Sequence, residues 1–294
     1  QKHKKLEPIT VNKSHDREKK RIQSQTKSPM YLQLLGLADK NGNIRPNKQK
    51  KYVQIDEFIK IVDTLQDWKK KDDPIHIVDC GSGNAYLSFA VFHYFHEILK
   101  KEVHMTGIDL DAGAVERATK NTQELGWNNL QFEVGNILSH TPKKNPNLVI
   151  ALHACDSATD EALFKSILWQ ADHLLSVPCC HQHLQKSLEK KKLHPSLQTL
   201  AKHSVLKERL CDVTTDTFRA QILELMGYQV KLLKYVSTEH TSKNIMIKAS
   251  KKEGSPDPQV LPAYEELKQS WGSYTPVLEK LLTEADTFPL STES

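Results

Sequence analysis

Two glycines follow a run of apolar residues and could let a ligand lie close to the backbone. The run Ile75–Cys80 leads into Gly81-Ser82-Gly83-Asn84-Ala85, and a helix-like pattern follows. Glycine has no Cβ, and in open α/β sheets ligands bind beyond the carboxyl ends of the strands. The dinucleotide pattern G-x-G-x-x-G/A is incomplete, because Tyr86 occupies its third small position. The phosphate-binding pattern G-x-x-x-x-G-K-[ST] is also absent from this loop.

An acidic residue at the end of the next predicted strand extends this candidate site. Asp109 closes the run 103–109, and a carboxylate there can accept hydrogen bonds from both hydroxyls of a ribose. A glycine loop with such an aspartate predicts an adenosine-type cofactor without a required diphosphate, and S-adenosylmethionine fits. A nicotinamide cofactor is disfavoured by Tyr86, and because Asp109 lies 26 positions past Gly83 rather than about 20. The alternative is a tight turn that binds nothing, with an exposed Asp109.

Polar residues that follow the later predicted strands could carry catalysis. A methyl transfer, for example, requires groups that align the nucleophile and, where needed, remove a proton. No N/D-P-P-Y/F stretch follows the fourth strand, which argues against methylation of adenine N6 or cytosine N4. The candidate catalytic residues are His153, Asp156, Cys179, Cys180 and His240.

Several of these residues have structural alternatives. Ser157-x-x-Asp160 resembles a capping box, so we interpret Asp160 as a helix cap. The pair Cys179-Cys180 could line a pocket as small buried side chains, or act as a covalent nucleophile. His240, with its neighbour Glu239, could be a solvated loop residue. Because no C-x-x-C pair is present, we predict no metal site, although soft zinc ligands are available in His153, Cys155, Cys179, Cys180, His181 and His183.

Strand-like and helix-like segments alternate from residue 75 to about residue 249. The strand candidates are 75–80, 103–109, 130–134, 147–153, 172–178, 228–236 and 243–249. Such alternation predicts an α/β fold with helices on both faces of the sheet. The last two strands are separated by few residues and should form an antiparallel hairpin, which gives seven strands, six parallel and one antiparallel. A preceding helix is predicted by the apolar spacing of Ile55, Phe58, Ile59, Val62 and Leu65.

Four stretches of the chain resemble the class I S-adenosylmethionine-dependent methyltransferases. They are Val78–Phe89, Leu152–Asp160, Val177–Cys180 and Ser237–Asn244. The resemblance, over roughly residues 30–285, is to a subgroup of bacterial methyltransferase-domain proteins. That subgroup is similar to eukaryotic methyltransferase-like proteins and to the glutathione-transferase-C-terminal-domain-containing protein, and more distantly to tRNA acceptor-stem 2′-O-methyltransferases. It implies a Rossmann-like seven-stranded fold and S-adenosylmethionine as the cofactor.

The resemblance also implies roles for individual residues. Residues of the glycine loop would line the methionine end of the cofactor, and Asp109 would hold the ribose. Leu110 and Asp111 would flank the adenine. Asn136 stands where many relatives place an aspartate, and its oxygen can still accept a bond from the adenine amino group. The implied cofactor-binding residues are Asp79, Gly81, Ser82, Gly83, Asn84, Asp109, Leu110, Asn136 and His153.

The net charge of +5 is the sum of a basic N-terminal segment and an acidic remainder. Residues 1–51 hold 14 Lys/Arg and 4 Asp/Glu, a net charge of +10, whereas the rest of the 294 residues is acidic. Basic segments of this kind often contact phosphate, so we expect an RNA partner, with a solvated tail as the alternative. A protein or small-molecule substrate is the second hypothesis, and a non-enzymatic scaffold of the same fold is the third.

Composition sets the remaining expectations. The five cysteines are an odd number without a disulfide framework, which favours a reducing cytoplasm. No apolar window reaches the roughly 18 residues of a membrane helix, no signal peptide is visible, and Gln1 suggests a chain processed or cut from a longer one. We expect a basic flexible segment at 1–28, a helical extension at 29–73, a methyltransferase domain at 74–250 and a helical tail at 251–294. The sequence gives no oligomeric state.

Overall fold

The chain folds around one central sheet in the computed structural model. The structure describes residues 29–152, 157–178, 181–188, 193–235 and 244–289. The strands are β1 (Ile75–Cys80), β2 (Val103–Asp109), β3 (Leu130–Val134), β4 (Leu148–Ala151), β5 (His173–Ser176), β6 (Tyr228–Lys234) and β7 (Ile245–Lys251).

The order of the strands across the sheet is β3-β2-β1-β4-β5-β7-β6. Strand β7 runs antiparallel to both of its neighbours, and the other pairs of neighbouring strands are parallel. This confirms the predicted seven-stranded sheet, with six parallel strands and one antiparallel strand. Because β1 connects to β2 on one side and pairs with β4 on the other, the strand order reverses at β1. The carboxyl end of β1 is therefore the switch point at which such sheets bind ligands.

Ten α-helices lie along the described ranges. They are α1 (Met30–Leu34), α2 (Gln49–Asp63), α3 (Tyr86–His93), α4 (Ala112–Leu125), α5 (Ser157–Leu168), α6 (Gln182–Ser187), α7 (Pro195–Leu200), α8 (Ser204–Leu225), α9 (Val260–Ser270) and α10 (Val277–Glu284). In the parts of the chain that the structure describes, no helix is long and apolar enough to cross a membrane.

The core is divided by the sheet into two apolar clusters. One contains side chains of α1, α2 and α3, and the other contains side chains of α5, α8, α9 and α10. Helices thus cover both faces of the sheet, as the alternating pattern predicts.

The predicted helix before β1 is confirmed as α2. Its spaced residues Ile55, Phe58, Ile59 and Val62 are all fully buried, as one apolar face of a helix requires. The helix ends at Asp63, so Leu65 lies beyond it, although it still packs against the same cluster. This packing fixes the start of α2, which matters for the site below.

The C-terminal segment forms two helices rather than one. The sequence indicates a single helical piece around 262–282, but α9 ends at Ser270 and α10 begins at Val277. Gly272 adopts a positive φ of 69° between them, and Pro276 precedes α10. Proline at a helix start and a left-handed glycine after a helix end both favour this break.

Candidate functional site

The glycine loop makes a tight, left-handed turn at the end of β1. Gly81 and Gly83 have φ values of +78° and +52°, and Ala85, which precedes α3, has +56°. The amides of Gly81 and Ser82 both donate to the carbonyl of Ile108, at 2.8 and 3.0 Å. A Cβ added to Gly83 would meet nothing within 4 Å, so open space lies against the backbone there. The loop is thus anchored to β2 and open on its other side.

Asp109 is held in one orientation by the backbone around it. Its Oδ2 accepts a hydrogen bond from the Gly83 amide at 2.6 Å, and its Oδ1 accepts one from the Asp111 amide at 2.9 Å. The carboxylate is half-buried and therefore reachable from outside. Each oxygen keeps a further lone pair, so a diol could still be bound.

Asp79 lies buried at the end of β1, with only 3% of its surface exposed. Burial raises the pKa of this carboxyl to about 7, a hydrogen bond from Ser88 opposes the shift, and the nearby charge of Asp109 adds to it. The Ser88 hydroxyl donates to Asp79 Oδ2 at 2.5 Å. Sequence reasoning missed Ser88, although a lone polar residue in the apolar helix α3 was a visible signal for a buried partner.

A cavity of about 160 Å³ opens between the glycine loop, the end of β4 and α2. Polar groups of both charges reach it, because Asp79 and Lys51 line the same space. Apolar contact comes from Leu87 and from Leu152, which follows β4. The complete lining is Lys51, Asp79, Ser82, Gly83, Asn84, Ala85, Tyr86, Leu87 and Leu152.

Lys51 is a lining residue that sequence reasoning did not single out. It lies in the first turn of α2, and its Nζ is 5.4 Å from the centre of the Tyr86 ring. Burial, followed by repulsion from Lys48, lowers the pKa of the Lys51 ammonium. Tyr86, which the sequence offered only as an argument against a diphosphate, is therefore part of the cavity wall.

The predicted adenine contacts lie along the same sheet edge. Leu110 is 74% exposed directly after Asp109, which is unusual for a large apolar residue. Asp111 caps α4 by accepting from the amides of Gly113 and Ala114, at 2.9 and 3.1 Å. Asn136 is exposed, and its Oδ1 accepts a bond from the Leu138 amide at 2.8 Å. The side chain of Asn136 therefore caps a short turn in addition to any ligand contact.

The predicted catalytic residues lie outside the described residues. This applies to His153, Asp156, Cys179, Cys180 and His240, and equally to Cys155 and Glu239. The described ends of β4 and β5 run side by side there, since the Val177 amide donates to the Ala151 carbonyl at 3.1 Å. The residues in question follow β4, β5 and β6 in the sequence.

A buried ionic network joins α5, α8 and the residue that precedes α6. Arg219 of α8 donates to both oxygens of Asp160, at 2.9 and 2.7 Å, and to Asp216 at 3.2 Å. His181 is also buried, with its Nε2 2.8 Å from Asp216 Oδ1. The attraction of Asp160 and Asp216 outweighs burial and keeps the pKa of Arg219 above its ordinary value. The capping-box interpretation of Asp160 did not include this pairing.

Two of the three histidines considered as zinc ligands have other partners in the structure, and the third, His153, lies outside the described residues. His181 faces the carboxylates of Asp212 and Asp216, and His183 Nδ1 lies 2.9 Å from the Tyr274 hydroxyl. Among the described residues, no group of three His, Cys, Asp or Glu side chains could hold a metal ion.

A family model described as "Methyltransferase domain" matches residues 50–187. That range contains the glycine loop, Asp109 and the Lys51 side of the cavity. Residues 50–187 form a methyltransferase domain. The open loop, the buried Asp79 and the oriented Asp109 of this domain provide a fitting cradle for S-adenosylmethionine as the methyl donor.

Two solved methyltransferase structures illustrate how distant the similarity in fold is. An rRNA methylase from Streptococcus thermophilus gives a TM-score of 0.42 at 11% identity, covering 70% of this chain and 98% of that one. Magnesium protoporphyrin IX methyltransferase from Synechocystis PCC 6803 with bound SAH gives 0.44 at 13% identity, covering 76% and 92%. No property of this chain follows from such weak similarities. Comparison with curated proteins finds no match.

Proposed function

We propose that this methyltransferase acts on RNA, of the tRNA or rRNA type, and that its basic N-terminal segment (residues 1–51) holds the phosphate backbone. The observation that carries the proposal is where this segment ends. Its last residue, Lys51, lines the cavity, and its neighbour Lys50 is exposed beside it. A polyanion bound along the segment would be held next to the methyl donor. A cytoplasmic location and the distant resemblance to tRNA acceptor-stem enzymes belong to the same proposal.

The proposal gives the cofactor-side residues distinct tasks. When bound, S-adenosylmethionine supplies an electrophilic methyl group carried on a sulfonium. Asp79 and the loop would face its amino-acid end, because they line the cavity, and Asp109 would accept from the ribose hydroxyls. The exposed Leu110 offers an apolar surface for the adenine. The residues proposed to bind the cofactor are Asp79, Gly81, Ser82, Gly83, Asn84, Asp109, Leu110, Asn136 and His153.

The acceptor-side tasks fall to residues that follow β4, β5 and β6. These strands are parallel, so their carboxyl ends share the edge of the sheet where the glycine loop lies. In the proposal, His153 and Asp156 orient the nucleophile or take its proton. Cys179 and Cys180 line the acceptor side, and His240 approaches from the link between β6 and β7.

The acceptor class is tested by methyl transfer from a radiolabelled donor to fractionated cellular RNA and protein. Label should enter the RNA fraction with the wild-type enzyme and disappear with Asp109→Ala. Asp72→Ala, at an exposed position before β1, serves as the control and should transfer label normally. Label in protein or in small molecules, but not in RNA, would show that the substrate proposal is wrong.

The role of the basic segment is tested in the full chain by paired charge changes. Lys19 and Lys20 are replaced by Gln in one variant, and Lys143 and Lys144 in the control. The control pair is exposed and precedes β4, at the opposite edge of the sheet. If the first pair contacts two phosphates, the slope of log affinity against log salt should fall by roughly 1.4–1.8, and the control slope should not change. Equal slopes in all three proteins would exclude these lysines from RNA binding.

A further inference from the structure

Lys51 is placed at the cavity by the packing of its helix rather than by its own contacts. The helix α2 is fixed to the core through Ile55, Phe58 and Ile59, all fully buried. Lys51 lies one turn before Ile55 and lines the cavity together with Asp79. The position of the ammonium group is thus determined by the fold, as expected for a binding residue.

The ammonium group of Lys51 is half-buried without an anionic partner in the described part of the chain. No ion pair links it to a described carboxylate, and its Nζ lies over the face of the Tyr86 ring, 5.4 Å from the ring centre. Lys60, on the same helix, shows the contrast, since it pairs with Asp56 at 2.8 Å and with Glu57 at 3.1 Å. Removing a charge from water without a partner is unfavourable, and a bound anion would compensate for it.

The other charged group among the described residues that line the cavity is a carboxylate. Asp79 lies at the base of the same space, with Ser88 bound to one of its oxygens. A cavity that presents one cation and one buried carboxyl group matches a zwitterion, which carries both charges on adjacent groups. Phosphate, or any simple anion, would use Lys51 but would be repelled by Asp79 once that carboxyl ionises.

We infer that Lys51 binds the α-carboxylate of the amino-acid end of S-adenosylmethionine, so that the start of α2 forms part of the cofactor site. The inference rests on the proposed cofactor site and names one further group in it. It also separates Lys51 from the rest of the basic segment, because a lysine that neutralises the cofactor carboxylate is not available to RNA phosphate. The Lys51 ammonium lies over the Tyr86 ring, 5.4 Å from its centre, and this cation–π contact favours its position.

The test compares two ligands that differ only at the amino-acid end. S-Adenosylhomocysteine carries the α-carboxylate, whereas 5′-methylthioadenosine has the same nucleoside and thioether without it. Calorimetry on the full chain should show that Lys51→Met weakens S-adenosylhomocysteine binding by about 10- to 100-fold, the usual contribution of a charged hydrogen bond. The affinity for 5′-methylthioadenosine should stay within about twofold, since no charged bond is lost. Lys51→Arg should recover part of the loss, and Lys50→Met, one position away and exposed, should lose nothing.

The outcomes separate this inference from the proposed cofactor site itself. If Lys51→Met weakens both ligands equally, the residue maintains the shape of the cavity and the inference is wrong. Unchanged affinity for both ligands would also overturn it. If the wild-type chain binds neither ligand, the cofactor site is wrongly placed and the inference falls with it. Thermal melting of each variant confirms that the compared proteins are folded.

Discussion

The substitution Asp79→Asn should remove a pH dependence from the stability of the ligand-free enzyme. Asp79 is buried at the end of β1, and burial is the main cause that raises its pKa from 3.8 to about 7. The asparagine side chain is close in shape to the aspartate and would keep the hydrogen bond that the Ser88 hydroxyl donates at 2.5 Å. The substitution therefore deletes the titration and preserves most of the packing.

The sign and size of the effect follow from linkage. The folded state holds the Asp79 proton more tightly than the unfolded state, so its contribution to stability is fully present below about pH 4 and is lost as the pH rises through about 7. Three pH units at 1.36 kcal/mol per unit correspond to about 4 kcal/mol. Between pH 4 and pH 8, the wild-type chain should therefore lose on the order of 4 kcal/mol relative to Asp79→Asn. Any constant difference caused by the amide group cancels in this comparison.

Urea unfolding followed by tryptophan fluorescence, at half-unit pH steps, measures this difference. The Ser88→Ala variant provides a second check, because the Ser88 hydrogen bond lowers the pKa of Asp79. Without it, the midpoint of the loss should move to higher pH. A wild-type minus Asp79→Asn difference that stays constant from pH 4 to pH 8 would refute the reasoning, and so would a difference that grows in favour of the wild type.

Two further predictions concern stability. The Arg219→Met variant should lose about 3–5 kcal/mol of unfolding free energy, measured with urea, because the buried carboxylates of Asp160 and Asp216 lose the guanidinium group. Adding Asp160→Asn should restore part of the loss, and an Arg219→Met variant as stable as the wild type would contradict the network. The Gly107→Ala variant should lose about 1–3 kcal/mol, because its Cβ would lie 2.5 Å from the Phe132 ring. Gly135→Ala, where a Cβ meets nothing within 4 Å, is the control, and equal losses at both positions would show that no steric contact is involved.

The elements of the fold were predictable because each is encoded locally. The first three strands have the predicted bounds, since turn residues and polar residues flank each apolar run. β4 and β5 are shorter than predicted, at Leu148–Ala151 and His173–Ser176. The apolar run of β4 continues past the end of the strand to Leu152, which lines the cavity. An apolar run in the sequence does not distinguish residues inside a strand from residues that line a cavity after it.

The candidate site was predictable only in part, because its remaining contacts join distant parts of the chain. Asp109 could be placed from the strand end that it closes. The partner of Asp160 could not, since Arg219 lies 59 positions away and only the folded chain brings the two residues together. The role of Lys51 could not be predicted either, because Lys51 is one of the 14 basic residues of the N-terminal segment and nothing in the neighbouring sequence distinguishes it from the others.

The topology explains why so many charged groups meet at one edge. Strand β1 lies between β2 and β4, so its glycine loop is bordered by the end of each neighbour, with Asp109 on one side and Leu152 on the other. The start of α2 adds Lys51 from a region that a parallel sheet alone does not require. Burial of the apolar face of α2 thus fixes the position of the Lys51 side chain at the cavity. A substitution such as Phe58→Ala, far from any ligand, should therefore weaken S-adenosylhomocysteine binding as well as folding, and calorimetry at a temperature where the variant is folded would measure it.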